Sequence, residues 1–228
     1  MVNANEDPTY EMLLMWSIAN GGSYADENGN FTVNSQPVVD ALNFMKALYS
    51  EGLVPQGMTE TDQRALFATG GSAMTIDGQW LFPFIRKNNP DDFDCYKSAQ
   101  HPWDGPGTGG INMALAISSD SGNPDAAFEF LKTAASSELQ SQFANYSPYI
   151  PYGKNALTEE QIAQQPYLKP YIASSGGAHP VAIPGHAEEF NLIWPILVDT
   201  VLRTLRNDVP AQESLDQAQA ELEACCAN

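Results

Sequence analysis

Amphipathic segments with helical spacing recur along the chain, each bounded by a capping residue or proline and by glycine. Between Val38 and Gly52 the apolar residues fall on one helical face, and the glycine supplies a stop. Short apolar pieces of strand length lie between such segments, notably at 31–33, 73–76 and 112–117. Alternation of helical and extended pieces favours an α/β layer structure. We therefore predict an α/β fold with a buried strand at 73–76.

Capping residues and glycines also predict where the other elements begin and end. Thr61 is expected to cap a short helix that runs through Phe67, and residues 94–96 are expected to be extended. Further helices are predicted after Asp7-Pro8, after Ser35, at 80–87, after Pro124, from Thr158 to Ser175, up to Arg206, and from about Pro210. The sequence shows no internal repeat or long linker, which indicates a compact protein.

The charge balance excludes several classes of partner. The 228 residues include 10 basic and 28 acidic ones, for a net charge of −18, so nucleic acid and anionic membrane surfaces would repel the chain. The sequence contains no run of about 18 apolar residues, so it does not predict a membrane-spanning helix. The first seven residues are polar and acidic, unlike a signal peptide, so this stretch of sequence is not expected to direct its own export.

Cysteines and histidines predict no metal centre. Cys95, Cys225 and Cys226 lack zinc-site spacing, and either a link from Cys95 to the C-terminal pair or free thiols are compatible with the sequence. The three histidines, at 101, 179 and 186, are widely separated in loops rich in proline and glycine. Motifs for a nucleophilic serine, a phosphate loop, a dinucleotide or a zinc protease are absent from the sequence. We expect no cofactor and no catalytic residues.

One pattern resembles a known family. The spacing Phe67-x-x-Gly70-x-x-Ala73-Met74-x-x-x-Gly78-x-Trp80 is similar to the central signature of the family 1 extracellular solute-binding proteins. That group includes the maltose- and oligosaccharide-binding components of ABC importers. Flanking segments match in the same order: 16–22, 38–52, the glycine-rich loop before 114–118, 123–131 and 209–215. The resemblance covers essentially the whole chain.

The resemblance implies a fold and an architecture. Two α/β lobes of the periplasmic-binding-protein type II kind close on a sugar in such proteins, and an intact member is nearly twice this length. The chain is then expected to be a helix-rich C-terminal lobe with part of the inter-lobe crossover, without the N-terminal lobe. The expected boundaries are 1–119 for the α/β portion, 120–171 for the segment that packs on the missing lobe, and 172–228 for the returning helices.

Trp80 and Trp194 are the main candidate ligand-binding residues. Sugars are recognised by flat apolar surfaces together with a few hydrogen-bonding groups in a concave site. The resemblance places a stacking aromatic at each position. For Trp194 the helical stripe formed with Leu197, Val201 and Leu205 equally predicts packing in the core.

The remaining candidates have competing structural roles. Tyr10, Glu11 and Trp16 correspond roughly to a family segment that supplies a carboxylate and an aromatic to the ligand. Asp77 is able to accept a hydrogen bond from a sugar hydroxyl, although Asp-Gly after a strand first predicts a turn. Gly109 and Gly110 allow close backbone approach to a ligand, or only a turn. Tyr146, Tyr149 and Tyr152 are candidates for the rim of the cleft.

These observations favour a binding module over an enzyme. The expected function is the substrate-binding component of an ABC transporter, extracytoplasmic in the complete protein, with a carbohydrate, a membrane permease and the missing lobe as partners. A glycoside hydrolase is the alternative, with carboxylates at Glu11, Asp77, Glu188 and Glu189. Glu188 and Glu189 are adjacent, so on a helix they would not face each other as an acid and nucleophile must. A structural fragment that binds nothing alone is the third possibility.

Overall fold

The computed structural model describes residues 8–103, 115–147, 149–151, 156–175 and 183–226. These contain ten α-helices and one short 3-10 helix at Phe93–Cys95. The α-helices are α1 (Pro8–Ala19), α2 (Gln36–Ser50), α3 (Glu60–Ala68), α4 (Leu81–Asn88), α5 (Pro124–Ala134), α6 (Ser137–Phe143), α7 (Glu159–Gln164), α8 (Leu168–Ser175), α9 (Phe190–Arg206) and α10 (Ala211–Cys226). Within this part of the chain, no helix has the length and apolar character needed to cross a membrane.

The chain divides into two compact units. The first comprises Met1–Ile76, His101–Gly110 and Gly177–Asn228, and the second comprises Asp77–Gln100 and Ile111–Gly176. The first unit therefore contains α1 to α3, α9 and α10, and the second contains α4 to α8. The three-part division with boundaries at 119 and 171 stays a prediction.

Four helices, α1, α2, α9 and α10, pack on one another in the first unit. Each presents an apolar face at helical spacing, as predicted for α2 and α9, and these faces form a shared core. Fully buried residues of this core include Leu13, Val38, Ala41, Leu42, Ile193, Leu197, Val201, Leu215, Ala218 and Leu222. Burying one such leucine side chain stabilises the fold by about 1.5–3 kcal/mol, so this unit is held together chiefly by its core.

A short extended piece lies against α10. Ala25 and Phe31 form an isolated antiparallel bridge. The predicted extended piece at 31–33 is therefore paired only at its first residue, because a turn follows in which the Ser35 N–H donates to the Thr32 carbonyl (3.0 Å). The side chain of Gln219 on α10 completes the pairing, since its Nε2 donates to the Phe31 carbonyl (2.8 Å) and its Oε1 accepts from the Val33 N–H (3.1 Å). The amide thus satisfies backbone groups that a neighbouring strand would otherwise pair.

Aromatic contacts organise the second unit around α4. Phe82 of α4 is buried and stacks on Tyr167 with ring centroids 4.2 Å apart. Phe93 packs edge-on against both rings, and the Arg86 guanidinium lies 4.3 Å from the centre of the Phe93 ring. By contrast, α5, α6 and α7 contain no buried residue.

The predicted strands do not form in the described residues, whose only β pairing is the Ala25–Phe31 bridge. At 73–76 no strand is present, and Met74 is 84% exposed. Residues 115–117 are likewise not a strand, while 112–114 lie outside the described part. An extended segment becomes a strand only when a neighbour pairs its backbone groups, and an apolar pattern alone cannot supply that neighbour.

Two local predictions were wrong, one at residues 94–96 and one at the start of α3. Residues 93–95 form a 3-10 turn instead of an extended piece, with the Cys95 N–H donating to the Asp92 carbonyl (2.9 Å). The cap of α3 is Thr59, not Thr61. Thr59 Oγ1 accepts from the Asp62 N–H (3.2 Å) and the Asp62 carboxylate accepts from the Thr59 N–H (3.2 Å), a reciprocal capping box.

The cysteines pair within the C-terminal helix. Cys225 and Cys226 form a disulfide between adjacent residues at the end of α10. Cys95 is an exposed free thiol, so neither a bridge from Cys95 nor three free thiols is observed. Spacing could not distinguish these cases, because the number of cysteines does not determine their connectivity.

Candidate functional site

Trp80 lies at the N-cap position of α4 in the second unit and is partly buried. Its indole folds back over Gly78, and a Cβ placed on that glycine would overlap the ring. The Tyr149 ring lies beside it, with centroids 5.8 Å apart and planes tilted by 48°. Glycine at 78 is therefore required for the observed ring position, which leaves part of the indole exposed.

Asp77 lies just before the turn that contains Trp80. Its Oδ1 accepts a hydrogen bond from the Gly78 N–H (2.7 Å), and its carbonyl accepts from the Tyr171 hydroxyl (3.3 Å). Burial, followed by the nearby Asp77 charge, raises the pKa of Tyr171 to about 12, so this tyrosine stays a neutral donor. The turn expected at Asp77-Gly78 lies at residues 79–80 instead, where the Leu81 N–H donates to the Gly78 carbonyl (3.1 Å).

Trp194 lies near the start of α9 in the first unit. The apolar face predicted on this helix is confirmed, since Leu197, Val201 and Leu205 are all buried. Trp194 itself is only partly buried and packs against the edge of that core. Part of the Trp194 residue therefore packs on the core and part is accessible to solvent, as is expected for an aromatic side chain at a solvent-exposed binding site.

Tyr10 belongs to the core. It is 1% exposed, its ring contacts Phe190 edge-on at 5.8 Å, and its carbonyl accepts from the Tyr24 hydroxyl (3.1 Å). Burial, with a smaller contribution from Glu11, raises the Tyr10 pKa above the usual range. The expectation that Tyr10 touches a ligand is at odds with this burial, whereas Glu11, the next residue, is only partly buried.

Trp16 is one ring of an aromatic cluster on the first unit. Its ring packs on Phe44 of α2 at 4.8 Å and on Trp103 at 5.5 Å, and His101 stacks on Trp103 at 4.3 Å. The sequence did not indicate the part played by Trp103, because no local pattern connects it to α1. These mutual contacts use much of the Trp16 ring surface for packing.

The candidate residues are thus distributed over both units. Asp77 and Trp80 lie together in the second unit, and Tyr10, Glu11, Trp16 and Trp194 lie in the first. Within the first unit, the Tyr10–Phe190 contact brings the starts of α1 and α9 together. Gly109 and Gly110 lie outside the described residues. In the described part of the chain, no group of three metal-ligating side chains is present.

The fold is similar to that of solved sugar-binding proteins. A solute-binding protein of an ABC transporter from Thermotoga lettingae, bound to α-D-tagatose, matches 95% of this chain with a TM-score of 0.79 and 23% identity. Maltose-bound MalE3 of T. maritima matches 95% of this chain with a TM-score of 0.78 and 20% identity. MalE of Xanthomonas citri matches 97% with a TM-score of 0.80 and 15% identity.

The chain spans little more than half of those proteins, 56% of the first, 57% of the second and 56% of the third. This likeness confirms a helix-rich, periplasmic-binding-protein type of fold that corresponds to part of the complete architecture. Comparison with curated proteins by sequence produced no match. The family model described as bacterial extracellular solute-binding protein matches residues 3–170, well over half of the chain. The chain therefore belongs to the bacterial extracellular solute-binding protein family.

Proposed function

We propose that the chain acts within the solute-binding component of an ABC importer and that its solute is a carbohydrate, in the first place an oligosaccharide. Family membership supports the general role. The observation that carries the sugar assignment is the partly exposed indole of Trp80, seated on Gly78. Two of the similar structures are named for bound sugars, tagatose and maltose, which supports the same ligand class.

The chemistry of the candidate residues suits a sugar. Aromatic faces pack on the C–H faces of pyranose rings, and hydroxyl groups need nearby acceptors and donors. In the second unit Trp80 would supply the aromatic surface, with Asp77 as an acceptor next to it. In the first unit Trp194 would supply a second aromatic surface, with Glu11 as the candidate carboxylate and Trp16 as a further aromatic. Gly109 and Gly110 remain candidates for backbone contacts.

We propose that the complete protein is located outside the cytoplasm and that its partner is a membrane permease. The family description, an extracellular solute-binding protein, supports that location. Delivery to a permease needs a ligand that is bound and released unchanged, so we propose a binding protein without enzymatic activity.

Calorimetric titration with a panel of malto- and xylo-oligosaccharides tests the sugar proposal. We expect saturable binding, weakened about five- to tenfold by Trp80→Ala and by Trp194→Ala, because a lost stacking contact is worth roughly 1–1.5 kcal/mol. Trp103→Phe is the matched control, since it alters a tryptophan outside the candidate set. If the folded chain binds no sugar, or if both alanine variants bind as the wild type does, the proposed ligand or its site is wrong.

A chromogenic glycoside separates binding from hydrolysis. A glycoside hydrolase needs one carboxyl group held protonated as a general acid. Among the carboxylates considered for that role, Glu188 is exposed to solvent, and Oε2 of Glu189 lies 3.9 Å from Nδ1 of the buried His186. We expect no release of the chromophore, and release that Asp77→Asn abolishes would overturn the binding-protein proposal.

A further inference from the structure

His186 is buried immediately before α9, on which Trp194 lies. The side chain is 2% exposed, and its ring stacks on Phe31 with centroids 4.2 Å apart and planes 23° from parallel. Its Nε2 lies 2.6 Å from the carbonyl oxygen of Gly29. The residue therefore connects the turn at 26–30 to the segment 183–189, both of which belong to the first unit.

The contact with Gly29 determines which ring nitrogen carries the proton in the neutral form. A carbonyl oxygen only accepts, so Nε2 must donate and must be protonated. Nδ1 of the neutral ring is then an acceptor. The close approach of the turn also depends on glycine, because Gly29 has a φ of 84° and Gly185, next to His186, has a φ of 85°.

The other ring nitrogen faces a carboxylate with which the neutral ring cannot pair. Nδ1 lies 3.9 Å from Oε2 of Glu189, the N-cap residue of α9. Both atoms are buried and neither has a hydrogen-bond partner among the described residues. Two buried acceptors that face each other without a donor are costly, and a proton on Nδ1 turns the same geometry into an ion pair.

The charged groups on the segments around His186 are all acidic. They are Asp26 and Glu27 in the turn, Glu188 and Glu189 on the segment of His186 itself, and Glu223 on α10, whose neighbour Gln219 binds the Phe31 carbonyl. All of these groups are acidic, so none of them opposes a positive charge on the imidazole.

We propose that His186 is a positioning residue for the site at Trp194, and that its protonation, by pairing it with Glu189, tightens the junction between the 26–30 turn and the start of α9. Trp194 lies five positions after Glu189, within the first turns of α9, so an ordered junction fixes the start of the helix that presents the indole. Because this pairing needs a proton on Nδ1, varying the pH is the direct way to test it. The effect on ligand rests on the proposed sugar-binding function.

Three measurements on the full chain test this proposal, and two of them need no sugar. Nuclear magnetic resonance of the ring nitrogens should place the proton of neutral His186 on Nε2. Affinity for maltotriose should be roughly two- to five-fold higher at pH 5.5 than at pH 8, the range expected for one partly exposed ion pair. The thermal unfolding midpoint should follow the same direction. Glu189→Gln should flatten both pH dependences, because a glutamine amide is able to donate to neutral Nδ1, while Glu188→Gln, next to it and exposed, should leave them unchanged.

The outcomes separate this proposal from the proposed function. A proton on Nδ1 in the neutral ring, or pH dependences that persist in Glu189→Gln, would overturn the positioning role. If maltotriose and the rest of the sugar panel fail to bind at both pH values, the proposed function fails, and the tautomer and the unfolding midpoints still decide whether the His186–Glu189 pair forms.

Discussion

The helices of the two units differ in what stabilises them. In the first unit α2 and α9 each bury a continuous apolar face, whereas in the second unit α5 and α6 bury no residue. Phe128 of α5 is 59% exposed and Phe143 of α6 is 53% exposed, although both are large apolar side chains. Similar amphipathic patterns therefore led to buried faces in α2 and α9 and to exposed apolar faces in α5 and α6, while α4 of the second unit buries Leu81, Phe82 and Ile85.

The N-terminal ends of α2, α6 and α7 differ in the opposite sense from their burial. Ser35 occupies the N-cap position of α2 without a side-chain hydrogen bond, so this helix depends on its buried face. In the second unit Ser136 caps α6, and Thr158 forms a reciprocal capping box with Gln161 at α7. For α6 and α7, which bury no residue, these end interactions are a main local source of stability, because an isolated short helix is marginal in water.

The largest expected effect is on the core of the first unit. Leu42→Ala removes a fully buried side chain of α2 and should lower the free energy of unfolding by about 2–5 kcal/mol. Phe128→Ala is the matched truncation on the exposed face of α5 and should change it by about 0.5 kcal/mol or less. Urea unfolding followed by circular dichroism measures both. Equal losses in the two variants would contradict the difference between the units.

A smaller effect is expected at the helix caps. Thr158→Ala removes the acceptor for the Gln161 N–H (3.2 Å) and should destabilise α7 by about 1 kcal/mol. Ser35→Ala should affect α2 less, since no side-chain bond is lost there. Amide hydrogen exchange, resolved for each helix, measures the two changes. A larger loss of protection in α2 than in α7 would reverse the proposed contrast.

The smallest effect concerns one polar contact of the second unit and appears only at alkaline pH. The pKa of Tyr171 is raised to about 12 by burial and Asp77, above the value of about 10 for an unfolded chain. The stability that Tyr171 contributes is therefore fully present below about pH 10 and is lost as the pH rises towards 12. Ultraviolet titration of the wild type should show several tyrosines that ionise late, because burial also raises the pKa values of Tyr10 and Tyr24. In Tyr171→Phe the late signal should decrease by the contribution of one tyrosine, and an unchanged late signal would contradict the assignment to Tyr171.

Local patterns predicted most helices of the chain, although not α6, and did not predict its tertiary contacts. The start of α1 at Pro8, the buried face of α2 and the stripe on α9 were confirmed, because capping and helical periodicity act within a few residues. The strand at 73–76 was wrong, since pairing requires a distant neighbour. In the candidate site, the turn predicted at Asp77-Gly78 lies at residues 79–80 instead. The bond from Tyr171 and the packing of Trp103 on Trp16 join residues far apart in the sequence, which no local pattern encodes.

The most direct test of the central claim, that Trp80 in the second unit and Trp194 in the first each contact a sugar, is nuclear magnetic resonance of the indole N–H groups during a sugar titration. The chain has four tryptophans, at 16, 80, 103 and 194, so each signal can be assigned by single substitution. We predict that the signals of Trp80 and Trp194 move with added maltotriose or another bound sugar of the panel while that of Trp103 stays in place. Movement confined to Trp16 and Trp103, or no movement in the folded protein with any sugar of the panel, would contradict it.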